Sequence, residues 1–135
     1  MGMDNQKLKI IVADDNIGMI DLIPKYLSTE KNIEVIATTR DGEEEVELIK
    51  TLKPDIVITD LFRKKGISGL DVIKKVKEFK QCPTFIVITG SYYEEKIDLL
   101  NNEQDIHIIR KPMNWKCFNK QIQEILVEMQ KKIKS

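Results

Sequence analysis

Short apolar, β-branched runs alternate with longer segments of helical periodicity, and the alternation recurs five times along the chain. The apolar runs predict strands at Leu8–Ala13 (LKIIVA), Ile33–Ala37 (IEVIA), Asp55–Thr59 (DIVIT), Thr84–Thr89 (TFIVIT) and Asp105–Ile109 (DIHII). Most are nearly continuous Val and Ile. Such strands suit a parallel sheet covered by helices on both faces, whereas a half-exposed antiparallel sheet would alternate apolar with polar residues.

The intervening segments predict helices at Ile17–Ser28, Gly42–Leu52, Gly69–Phe79, Tyr92–Asn101 and Trp115–Ile133. In the third, Leu70, Ile73, Val76 and Phe79 form an apolar stripe and Lys74, Lys75, Lys77 and Glu78 a wet face. Pro24 falls inside the first and predicts a kink, because proline removes a backbone donor. The last carries Trp115, Phe118, Ile122, Leu126, Met129 and Ile133 at steps of three and four, with lysines at its end that complement the helix dipole.

Five β-α units predict a doubly wound, three-layer α/β/α domain of the flavodoxin-like kind, with a five-stranded parallel sheet in the order 2-1-3-4-5. Ligands of such sheets bind beyond the carboxyl ends of the strands, where the winding reverses. The first strand there meets Asp14 and Asp15, the third Asp60, the fourth Thr89 and Gly90, and the fifth Lys111 and Pro112.

Composition narrows the classes further. The 135 residues are 41% hydrophobic and 33% charged, enough for one core and one domain. Lys plus Arg number 22 and Asp plus Glu number 22, so the chain lacks the positive excess with which nucleic-acid binders release counterions. No apolar run approaches the roughly 20 residues of a membrane span, and the polar N-terminus has no signal-peptide core. Cys82 and Cys117 lie too far apart for a C-x-x-C site and predict two reduced thiols in a cytoplasmic protein. Residues 1–6 are expected to be a disordered or tag-like N-terminus, and 7–135 the folded domain.

Three convergent carboxylates repel one another unless a cation neutralises them. A hard divalent ion, Mg²⁺ with Mn²⁺ as substitute, accepts such oxygen ligands together with water and a phosphate oxygen. The chemistry this suits is phosphoryl transfer to a carboxylate, with Asp60 as nucleophile at the end of the central strand. Lys111 and the Thr89 hydroxyl then neutralise charge on the transferring oxygens, and Gly90 leaves room beside them. Singly, each residue has an ordinary structural reading: Asp-Asp caps a helix, Thr-Gly turns the chain, and Lys-Pro is a common dipeptide. Their joint placement at four strand ends is what points to chemistry.

These residues stand in segments that resemble the receiver domain of two-component response regulators, of the kind found in the single-domain chemotaxis regulator. They read IIVADDN, IVITD, GISGLDVI, VITG and IIRKP, and the resemblance runs from Lys9 to about Glu128. It implies phosphorylation of Asp60 by a sensor histidine kinase or phosphotransfer protein. It also implies Mg²⁺ held by Asp15, Asp60 and the Phe62 backbone carbonyl, with Asp14 helping through water. Thr89 would swing toward the phosphoryl group, Lys111 would pair with it, and the Lys111–Pro112 peptide would be cis. The switch surface implied is the fourth helix, fifth strand and fifth helix, which also serves homodimers.

The sequence departs from the family pattern in two places. The loop after Asp60, DLFRKKGISG, is one residue longer than usual and lacks a proline, and Ile108 stands where an aromatic residue is customary. An aliphatic side chain cannot signal by ring rotation. His107, one position earlier, falls on the opposite side of the strand and is read as a packing residue. Trp115 is expected to be buried near the pocket rim. A haloacid dehalogenase-like phosphatase would need a second Asp at position 62, where Phe62 stands, and a degenerate, phosphorylation-independent docking module would not need all of Asp14, Asp15, Asp60, Thr89 and Lys111. A turnover enzyme is therefore not expected.

Overall fold

A computed structural model describes residues 7–61, 66–90, 105–110 and 114–134. The expected helix over 92–101, and with it Phe62, Lys111 and Pro112, lies outside the described residues. Strands β1 (Leu8–Ala13), β2 (Ile33–Thr39), β3 (Ile56–Asp60), β4 (Thr84–Thr89) and β5 (Ile106–Arg110) form one sheet in the order β2-β1-β3-β4-β5. All four pairings are parallel, as the sequence predicts.

The unbroken Val and Ile runs divide between two cores because successive side chains in a strand point to opposite faces. Ile10, Val12, Ile56, Ile58, Ile86 and Ile88 face α1 (Ile17–Leu27) and the C-terminal helix (Trp115–Lys134), where Ile23, Leu27, Phe118, Ile122 and Leu126 meet them. Ile11, Val57, Phe85 and Val87 face the other way, packing with Ile49 of α2 (Gly42–Leu52) and Val72, Ile73 and Val76 of α3 (Gly69–Val76). Ile109 joins the first core and Ile106 and Ile108 the second, which leaves half-buried His107 on the side of the C-terminal helix.

Strands β3 and β5 lie one residue later than the sequence predicts, α1 ends one residue earlier and the C-terminal helix one later. Larger details also bear comparison with the sequence reading. Helix α3 stops at Val76, three residues early: the Glu78 and Phe79 amides turn back to Lys75 and Val76, and the Cys82 thiol donates to the Val76 carbonyl at 3.3 Å. Helix α1 is continuous across Pro24, which ends neither the helix nor its capping: the Pro24 carbonyl accepts the Ser28 amide at 2.9 Å. Strand β2 extends two residues further, to Thr39, because Ala13 pairs with Thr39 at the strand end. Trp115 is half-buried rather than buried, stacked on Tyr26 of α1 with ring centroids 4.3 Å apart and edge-on to Phe118.

Candidate functional site

The parallel register gathers the acidic residues. Ala13 lies opposite Thr59, so Asp14, the residue after β1, emerges beside Asp60, the last residue of β3. The Asp14 amide donates to the Thr39 carbonyl at 3.1 Å, and its carboxylate accepts the Asn16 amide at 2.9 Å. Asn16 in turn caps α1, its side-chain oxygen accepting the Met19 amide at 3.2 Å. The helix cap is therefore Asn16, and the ordinary capping role open to an Asp-Asp pair is not where these two aspartates serve.

Asp60 is held from behind by the start of α3. The Gly69 amide donates to the Leu61 carbonyl at 2.8 Å, and a Cβ on Gly69 would overlap the Asp60 carbonyl oxygen. Only a residue without a side chain lets the helix approach the strand end so closely.

One carboxylate oxygen from each of Asp14, Asp15 and Asp60 lies within 4.8 Å of the others. Asp14 and Asp60 are 1% and 8% exposed, so two of three like charges are largely removed from water. Among the described residues this is the one cluster of metal-ligand type, and its donors are oxygen only. Such a set fits a hard divalent cation, Mg²⁺ or Mn²⁺, and not zinc, which favours thiolate and imidazole. Both cysteines are free and exposed.

Thr89 ends β4 one residue beyond Ile88, the register partner of Asp60, and is buried at the same end of the sheet, with exposed Gly90 following. Ile108 pairs with Val87 and packs half-buried into the core on the α2 and α3 side. The structure thus brings Asp14, Asp15 and Asp60 together and sets Thr89 at the adjacent strand end.

One polar residue at this end has no part in the sequence reading. The Arg40 side chain donates from Nε to the Asp15 carbonyl at 3.1 Å. Inspecting strand ends finds it once β2 is known to reach Thr39; with β2 ending at Ala37 it falls inside a loop.

The sheet order and the acidic crevice at its carboxyl edge define a doubly wound α/β domain of the flavodoxin-like class. Residues 10–123 match the response regulator receiver domain, and the chain belongs to that family of two-component signalling proteins. Among curated proteins it is similar to a protein-glutamate methylesterase/protein-glutamine glutaminase of Bacillus subtilis, 36% identical over 80 residues (59% of this chain and 22% of that protein). A protein of the same description from Methanococcus maripaludis is 30% identical over 108 residues (78% of this chain and 29% of that protein). The chain therefore matches less than a third of the length of either relative. The fold is shared with the crystal structure of a CheY-like response regulator receiver domain protein of Methanospirillum hungatei, at TM-score 0.79 and 22% identity, covering 94% of this chain and 99% of that one. No described helix is long and apolar enough to cross a membrane.

Proposed function

We propose that the chain is a phosphoacceptor receiver that takes a phosphoryl group on Asp60 and uses it to control an output partner or domain. The observation that carries this reading is the convergence of the Asp14, Asp15 and Asp60 carboxylates within 4.8 Å at the carboxyl edge of a receiver sheet. A carboxylate oxygen of Asp60 attacks phosphorus, forming the acyl phosphate bond. The bond from phosphorus to the donor's imidazole nitrogen breaks, and its electron pair stays with that nitrogen.

Asp14, Asp15 and Asp60 are the residues that would hold Mg²⁺, or Mn²⁺ in its place, with the Phe62 carbonyl completing the protein ligands by analogy with the family. When bound, the cation offsets the carboxylate charge and that of the incoming phosphoryl oxygens. Thr89 donates its hydroxyl to a phosphoryl oxygen and Lys111 pairs with another, with Gly90 and Pro112, their neighbours in sequence, as supporting residues. Phosphorylation shifts a population by its differential contacts with Thr89 and Lys111. With Ile108 at the family's aromatic position, that shift is read without a rotating ring.

The donor is a sensor histidine kinase or phosphotransfer protein in the cytoplasm. By analogy with the family, the switch surface and any homodimer contact involve the fifth strand, the C-terminal helix and the segment 92–101 that the sequence predicts to be helical, and the chain itself touches neither nucleic acid nor membrane. Its own chemistry is limited to gaining and losing the phosphoryl group, and residues 7–135 constitute the receiver. The methylesterase and glutaminase activities are named for relatives more than three times the matched length and are not proposed for it.

Intact mass after incubation with Mg²⁺ and acetyl phosphate tests the reading. A single added phosphoryl group, absent in Asp60→Asn and in EDTA, is expected. No adduct on a folded, cation-bound chain would replace the reading with that of a docking module.

A further inference from the structure

Arg40 stands on a rigid base. Thr39 before it is buried and paired with Ala13 at the end of β2, and Asp41 after it is fixed twice. The Asp41 amide donates to Thr39 Oγ1 at 3.1 Å, and its carboxylate caps α2 by accepting the Glu44 amide at 3.0 Å. From this base the guanidinium reaches 25 residues back along the chain to the Asp15 carbonyl, at 3.1 Å. A second bond joins the same two turns, from the Asp14 amide to the Thr39 carbonyl. The turn carrying two of the three clustered carboxylates is thus tied to β2 at consecutive residues.

We propose that Arg40 is a positioning residue for the divalent cation: by holding the Asp15 carbonyl it sets where the Asp15 carboxylate stands relative to Asp14 and Asp60. The proposal rests on the phosphoacceptor reading and adds to it a residue outside the acidic cluster. The sign of the effect separates positioning from simple charge. A cation beside three carboxylates lowers their attraction for a second cation, so on electrostatics alone removing Arg40 tightens Mg²⁺ binding. If Arg40 acts by holding the turn, its removal loosens binding. Partners that orient ligating groups are typically worth 10- to 100-fold in metal affinity. Arg40 is exposed and acts through a main-chain atom, so a loss of about three- to tenfold is expected.

The test is calorimetric titration of the metal-free full chain with Mg²⁺, with thermal unfolding in EDTA recorded beside it. Arg40→Ala should bind Mg²⁺ about three- to tenfold more weakly. Arg40→Lys, which keeps the charge but not the guanidinium geometry, should fall between it and the wild type. Unchanged or tighter binding by a folded Arg40→Ala overturns the proposal. Should Arg40→Ala not fold without cation, Arg40→Lys decides, and affinity equal to wild type overturns it. Wild-type binding with unaltered variants sinks this inference alone, whereas a wild-type chain that binds no Mg²⁺ sinks the phosphoacceptor reading with it.

Discussion

Neutralising one of the three carboxylates should stabilise the metal-free protein. Two unit charges 4.8 Å apart repel by about 0.9 kcal/mol in bulk water and about 3.5 kcal/mol at an effective dielectric constant of 20. Asp60 has two such neighbours and is 8% exposed, so its site lies between these limits. Asp60→Asn keeps one acceptor oxygen and nearly the same shape, so most of the packing survives while both repulsions vanish. Side-chain adjustment, counterions and the favourable contacts that Asp60 itself makes already offset part of the gross figure, leaving an expected gain of about 1–3 kcal/mol. For a domain of this size that corresponds to a rise in Tm of roughly 3–12 °C. The assay is thermal unfolding followed by circular dichroism, in EDTA and again in saturating Mg²⁺. In EDTA the variant should melt higher. In Mg²⁺ the wild type should close the gap, because a ligand that binds only the folded state stabilises it by mass action and the variant has lost a ligand. A variant that melts no higher than wild type in EDTA would refute the claim that these carboxylates repel one another in the folded chain.

Gly69→Ala should destabilise the fold by about 1–3 kcal/mol and weaken Mg²⁺ binding, since the atoms its methyl displaces are main-chain atoms of Asp60 and Leu61; chemical denaturation and calorimetry measure the two effects. Lys53, the C-cap of α2, holds φ 50° in the left-handed region, so Lys53→Gly should stabilise the fold by about 0.5–1 kcal/mol, read as a higher denaturation midpoint. Tyr26→Leu removes the ring stacked on Trp115, the chain's single tryptophan, and should alter its emission while costing about 1 kcal/mol beyond lost burial; unchanged fluorescence would mean the rings are not stacked in solution.

Why the fold was legible and the full site was not comes down to where information sits along the chain. A strand buried on both faces reads as a nearly unbroken apolar run, so β4 stands out within its neighbourhood; β1, interrupted by exposed Lys9, stands out less, yet both have the predicted ends. Ends set by long-range pairing are less visible. Thr38 and Thr39 are polar and close β2 only because β1 lies alongside, and helix α3 ends at Val76 although Phe79 continues its apolar spacing. The same holds for chemistry. Asp14, Asp15 and Asp60 were readable because each follows or ends an apolar run, and a parallel sheet brings run ends together. Arg40 was not, because its partner is a main-chain carbonyl, which every residue carries and no sequence marks. Gly69 lies between these cases: its letter is plain within GISGLDVI, yet what demands it is the Asp60 carbonyl nine residues earlier. Side chains that converge on a site leave a pattern in the sequence, while the contacts that aim them pass through backbone atoms and appear only once the chain is folded.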